Sequence, residues 1–254
     1  MIKAENISFS YGENKIFQSL SIAFEKGKFH CIIGKNGSGK STLLKLLSGY
    51  IKPEQGVISV DDKAASSYSR REYAKKTAIL AQEKEKADFT VYDYVSSGRY
   101  PYLGITRRLT ATDRQLISEA ISKTNLESKI YENISNLSGG ERQRVYIACV
   151  LAQNTPYVLL DEPTTYLDVS AKFEVMNYLS DMAKNGKGVI AVMHDISLAL
   201  KYADSLLILD RENGSYTACT PTEAYENGSI GKAFGVKCKA ISTDNKTEFI
   251  ITNQ

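Results

Sequence analysis

The run Gly34-Lys35-Asn36-Gly37-Ser38-Gly39-Lys40-Ser41-Thr42 limits what this chain can fold into more than any other feature. It fits G-x-x-x-x-G-K-[ST] and stands between an apolar strand pattern, Phe29–Ile33, and a helical pattern of Leu43, Leu44, Leu46 and Leu47. Glycines let successive backbone N–H groups turn inward around phosphate oxygens. The start of the following helix adds the positive end of its dipole. In such a loop the lysine, Lys40, reaches the β- and γ-phosphates, and the Ser41 hydroxyl binds Mg²⁺. Gly34, Asn36, Gly37, Ser38, Gly39, Lys40, Ser41 and Thr42 are therefore candidate ligands of ATP.

The rest of the chain fits an α/β architecture. Alternation at Ile2, Ala4, Ile7 and Phe9, then the run Leu20–Phe24, predicts antiparallel strands at the N-terminus. Phe29–Ile33 is continuously apolar apart from His30, as expected of a strand buried on both faces of a parallel sheet. Gly56–Asp62 reads as a strand and turn, and Gly49 as a helix stop. From about Tyr92 to Ala152 the pattern is mostly helical, with a break at Tyr100–Gly104. Strand signals return at Tyr157–Leu160, Gly188–Met193 and Ser205–Leu209, giving β-α-β-α-β. With 254 residues, one large domain is expected, carrying an inserted helical subdomain at roughly 84–152 and a polar tail at roughly 211–254.

Composition excludes several classes. A net charge of +3 gives no argument for a nucleic-acid partner. Cys31, Cys149, Cys219 and Cys238 stand far apart, and with two histidines they offer neither a zinc framework nor a disulfide scaffold. Such usage suits a reducing compartment. No leader pattern is seen at the N-terminus, and no apolar run reaches the roughly 18 residues needed to cross a bilayer. A peripheral place at the membrane, through a partner, is left open.

Tyr157-Val158-Leu159-Leu160-Asp161-Glu162 is an apolar strand ending in two carboxylates, expected beside the phosphate loop. Asp161 would stand near Mg²⁺ at the carboxyl end of the sheet, and Glu162 is placed to orient or deprotonate an attacking water. Between the two motifs lies Leu137-Ser138-Gly139-Gly140-Glu141-Arg142-Gln143-Arg144. Ser138 suits a helix cap, and Gly139 and Gly140 let an anion approach the exposed N–H groups.

This segment resembles the signature of ATP-binding cassette (ABC) ATPases, and the motif order fits from about Ile2 to Val236. The resemblance implies a P-loop ATPase core with an N-terminal antiparallel β subdomain. It also implies that Ser138, Gly139 and Gly140 contact a nucleotide held by a second copy, so that two nucleotides are sandwiched in a head-to-tail homodimer. Tyr11 resembles the aromatic that stacks on adenine. Gln82 resembles the glutamine that senses Mg²⁺ and the γ-phosphate, Asp168 the aspartate that communicates across the dimer, and His194 the switch histidine on the γ-phosphate. The catalytic set implied is Glu162, His194, Gln82 and Lys40, with Ser41, Gln82 and Asp161 at the metal. His30 is assigned no role.

Within that family, Phe89–Tyr102, Pro163–Asp168 and His194–Asp204 are similar to ATPases that energise import of iron–siderophore complexes, haem or cobalamin. Their partners are membrane permease subunits and, indirectly, a substrate-binding protein, at the cytoplasmic face of the membrane. Arg99, Arg107 and Arg108, mixed with aromatics, suggest a docking groove for a permease; a solvated loop is the second reading and a nucleic-acid surface a distant third. Lys35 stands where many relatives carry proline, and Cys219-Thr220-Pro221 replaces the commoner Gly-Thr-Pro. The competing function is a non-transport cassette acting in DNA, ribosome or cofactor-assembly processes, against which stand the single cassette and the absence of sustained heptads. A P-loop kinase is disfavoured by the Ser138–Arg144 signature.

Overall fold

The computed structural model describes residues 1–81, 88–211, 214–243 and 246–252. Three sheets organise it. The first is four-stranded and antiparallel, in the order β2-β1-β4-β5, from β1 (Ile2–Tyr11), β2 (Asn14–Phe24), β4 (Gln55–Val60) and β5 (Lys63–Ala64). Asp61 and Asp62, at φ 49 and 60, make the tight turn between β4 and β5.

The second sheet has six strands in the order β10-β9-β3-β8-β7-β6. They are β3 (Phe29–Gly34), β6 (Thr77–Leu80), β7 (Tyr157–Asp161), β8 (Gly188–Val192), β9 (Ser205–Asp210) and β10 (Ser215–Cys219). All neighbours are parallel except β10, which returns antiparallel to β9. Alternate residues of the four central strands feed different cores. Cys31, Ile33, Val158, Leu160, Val189 and Ala191 point to one side, while Ile32, Leu159, Ile190 and Val192 point to the other. The unbroken apolar runs in the sequence are this two-sided burial.

The strand order differs from the sequence expectation. The Asp161 strand is not the neighbour of the loop strand, because β8 pairs with both β3 and β7 and separates them. Strand order depends on long crossovers, which local patterning does not encode.

Helix α1 (Lys40–Leu47) buries Leu43, Leu44, Leu46 and Leu47 between the two large sheets and stops at Ser48, with Gly49 at φ 71. The short α2 (Arg70–Ala74) follows β5. Helices α3 (Val91–Ser97), α4 (Ala111–Lys123) and α5 (Gly139–Gln153) have their own core around Val91, Val95, Ile117, Ile121, Val145 and Ala148. Helices α6 (Val169–Lys184) and α7 (Ile196–Tyr202) cover the outer face of the central sheet. The tail, read from the sequence as polar, folds α8 (Pro221–Glu226) and α9 (Ser229–Phe234) before the hairpin β11 (Lys237–Thr243) and β12 (Lys246–Thr252). Thr220 caps α8 through a reciprocal pair with Glu223, a signal legible in Thr-Pro-Thr-Glu. Among the described residues no helix is long and apolar enough to cross a membrane.

Candidate functional site

Three adjacent strands deliver the candidate residues to one cleft. The phosphate loop leaves the end of β3, His194 follows β8, and Asp161 and Glu162 end β7. Ligands of open α/β sheets bind outside the carboxyl ends of the strands. The cleft, of about 520 Å³, is lined by Asn36 through Thr42, by Glu162 and His194, and by Ile16 and Arg211.

Two glycines fix the loop's shape. A Cβ at Gly34 would lie 2.5 Å from the Ser38 hydroxyl oxygen and 2.6 Å from the Leu209 carbonyl. Gly39 has φ 96, and a Cβ there would meet Ile16 at 2.7 Å and Phe17 at 2.9 Å. Lys40 starts α1 and folds back across the loop, donating to the carbonyls of Gly34 at 2.8 Å and Lys35 at 3.0 Å. Its ammonium is buried, and desolvation lowers its pKa against the opposing pull of Glu162 and Asp161.

At the end of β7, burial raises the Asp161 pKa, and a hydrogen bond from Ser41 opposes that rise. Asp161 Oδ1 and Ser38 Oγ are buried polar atoms with no hydrogen-bond partner among the described residues. Such atoms in a native fold call for an explanation. The Ser41 hydroxyl and the Asp161 carboxylate, with Oδ1 spare, are the kind of oxygen donors that Mg²⁺ takes.

Glu162 is held in an uncommon conformation, with φ 53. Such a backbone costs of order 1–3 kcal/mol and persists where its surroundings fix it. Three contacts hold the residue, one on its backbone and two on its carboxylate. Its N–H donates to the Val192 carbonyl at 3.1 Å, the Thr165 hydroxyl donates to Oε2 at 3.2 Å, and His194 Nε2 lies 2.7 Å from Oε1. The sequence-predicted pair Glu162 and His194, 32 positions apart, are thus directly hydrogen-bonded.

The signature lies on a different surface. Ser138 caps α5: its hydroxyl accepts from the Glu141 N–H at 3.3 Å, and its own N–H donates to Glu141 Oε2 at 2.8 Å. These bonds, with the Lys129 ammonium 3.1 Å from the other oxygen, hold the Glu141 carboxyl down to about 2. Gly139 and Gly140 sit against Tyr166, where a Cβ would be 3.5 Å from the Tyr166 side chain and 3.4 Å from its carbonyl, respectively. Buried Gln143 donates to the Pro163 carbonyl at 2.8 Å, fastening α5 to the segment after Glu162. Asp168 caps α6, accepting from the Ala171 N–H at 2.8 Å. Tyr11 is exposed at the β1–β2 turn, edge-on to Phe9 at 4.9 Å. Neither Tyr11 nor the signature residues line the cleft of Lys40 and Glu162. Gln82 lies outside the described residues.

Arg99, read as a docking cation, is instead buried. Its Nε lies 2.8 Å from Asp113 Oδ1 and its Nη1 donates to the carbonyls of Ala152 and Gln153, each at 2.9 Å. Sequence reasoning mistook it because a paired and an exposed arginine look alike without the fold. It also missed Thr165, legible as a hydroxyl three positions after Glu162, and Arg211, for which no local signal exists.

Comparison with known proteins places this geometry. Residues 17–165 match the ABC transporter family. The petrobactin import ATP-binding protein FpuD of Bacillus anthracis is 35% identical over 96% of this chain and 89% of the relative. The ferric enterobactin transport ATP-binding protein FepC of Escherichia coli is 35% identical over 94% of this chain and 89% of its own. A solved structure assigned to a metal-chelate type ABC transporter, inward-facing, superposes with a TM-score of 0.83 at 26% identity, covering 100% of this chain and 98% of that one. The dimeric cassette MJ0796 gives a TM-score of 0.75 at 28% identity, over 82% of this chain and 94% of that one. A phosphate loop, an acidic strand end and a capped signature helix, in a chain aligned nearly end to end with such relatives, show that it belongs to the ABC transporter family as an ATP-binding cassette.

Proposed function

We propose that this chain is the ATP-hydrolysing subunit of an importer that takes up a ferric siderophore or a related metal chelate. The observation that carries the hydrolytic part is the single cleft holding the Lys40 loop and the Glu162–His194 pair, with Ser41 of that loop hydrogen-bonded to Asp161. The cargo rests on full-length relatives named for siderophore import.

The loop N–H groups and Lys40 bind the β- and γ-phosphates of ATP, and Tyr11 supports the adenine. Mg²⁺, when bound, neutralises charge on the phosphate oxygens, and the Ser41 hydroxyl and Asp161 carboxylate would hold it. Glu162 orients the attacking water and draws on its proton; His194, bonded to Oε1, fixes the carboxylate and reaches toward the γ-phosphate. Lys40 is drawn from carbonyls onto developing negative charge. Ser138, Gly139 and Gly140 of a second copy complete the enclosure, and Asp168 stands at that contact. The subunit works at the cytoplasmic face of the membrane, bound to permease subunits that receive cargo from a substrate-binding protein, and no nucleic acid is involved.

Deleting the chain from its host and measuring uptake of radiolabelled ferric siderophore tests this. Uptake should fall to background, return with the wild-type chain and stay absent with Lys40→Ala. Chelate uptake unaffected by the deletion would overturn the assignment.

A further inference from the structure

Arg211, the first residue beyond β9, is exposed, yet its guanidinium is committed on two sides. Nη1 donates to the Gly37 carbonyl of the phosphate loop at 3.0 Å. Nη2 donates to Asn14 Oδ1. Asn14 opens β2 and pairs with Tyr11 across the turn, so its place is fixed relative to that ring. One planar fork therefore joins the turn that presents Tyr11 to the loop that receives phosphate.

A second attachment lies nearby. Ile16 and Phe17 of β2 pack so closely over Gly39 that no Cβ fits there. The guanidinium fork adds a polar tie closer to the turn, at Asn14. Arg211 and Ile16 both line the cleft with Lys40 and Glu162.

We propose that Arg211 is a positioning residue for nucleotide binding: it clasps the Tyr11 turn to the phosphate loop, so that both ends of one nucleotide are met together. The inference rests on the reading of Tyr11 as the adenine platform. Two subsites held at a fixed spacing act as one bivalent site, and freeing one of them returns that advantage to disorder. The penalty falls on a ligand that spans both subsites. A ligand carrying phosphates alone escapes it. Simple charge attraction by the guanidinium would instead act on both ligands alike.

The test uses the full chain with ATP and with inorganic tripolyphosphate, measuring Kd for each by calorimetry. Unchanged melting curves would establish that the exposed-site variants fold. Arg211→Ala should raise Kd for ATP about tenfold and that for tripolyphosphate less than about twofold. The defect should fall on KM for ATP more than on kcat. Arg211→Lys, lacking the fork, should not restore binding, and Asn14→Ala should reproduce the loss without adding to it in the double variant.

Equal losses for the two ligands, or no loss, would overturn the clasp. Additive effects of Asn14→Ala and Arg211→Ala would overturn it too. Tyr11→Ala separates the two readings. If it erodes the preference for ATP while Arg211→Ala does not, the platform stands and the clasp falls. If it leaves the preference intact while Arg211→Ala and Asn14→Ala still lower it together, the platform reading fails and the clasp orients the turn for another adenine contact.

Discussion

His30 shows how a single side chain in β3 contributes through what it does not do. Its ring stands edge-on to Phe24 at 5.3 Å, and Nε2 lies 3.1 Å from the Glu25 carbonyl. Burial lowers its pKa below the ordinary 6.5, more than the Glu25 hydrogen bond raises it. The unfolded chain therefore takes up this proton at a higher pH than the fold does. Stability from neutral His30 is whole above 6.5 and is lost as pH falls toward the folded value. Melting temperatures should decline between about pH 7 and 5.5 more steeply in the wild type than in His30→Gln, and parallel slopes would refute the point. At this scale the sequence was most legible where chemistry is local. Gly39 and Lys40 announce their roles within nine residues, and Ser138 announces its cap within four. Arg211 does not, because its partner Gly37 is 174 positions away.

Helix α5 illustrates the same point for an element. Its N-terminus closes on itself through Ser138 and Glu141, as Ser-Gly-Gly-Glu forecasts. Its C-terminus turns at Asn154, φ 52, and the carbonyls of Ala152 and Gln153 are taken by Arg99 from beyond α3. Orphan carbonyls at a helix end need such partners. Arg99 also neutralises Asp113, which lies in the first turn of α4, so one guanidinium holds three helical segments. Arg99→Ala leaves Asp113 bonded only to Thr110, without its cation, frees two carbonyls of α5, and should cost about 3 kcal/mol in urea denaturation. A loss under about 1 kcal/mol would mean that the pair behaves as an exposed one. The strands were readable from their apolar runs, yet their order was not. Tyr157–Asp161 and Gly188–Val192 are equally apolar, and only the crossovers decide which of them lies next to β3.

At the level of the whole molecule, the signature residues do not line the Lys40 cleft, and in the proposed head-to-tail pair those of a second copy would complete it. Glu162→Gln keeps the loop and the His194 side chain but removes the carboxylate charge. Turnover should fall at least about a hundredfold while ATP stays bound. Size-exclusion chromatography with ATP should then show a dimer that the wild type forms only transiently. Wild-type turnover in that variant would remove Glu162 from the chemistry.

The burial of α1 has a mechanical consequence. Its four leucines are packed between two sheets, so Lys40 and Ser41 stand on a helix anchored in that core. The loop cannot travel without opening that core. The three-helix cluster has a core of its own, with Val95 and Val145 at its centre, and its tie to the main body includes Gln143 on the Pro163 carbonyl. The phosphate loop thus stands on the core between the two large sheets, while the helical cluster joins the main body through Ile147 and Val150 of α5 and through the segment just after Glu162.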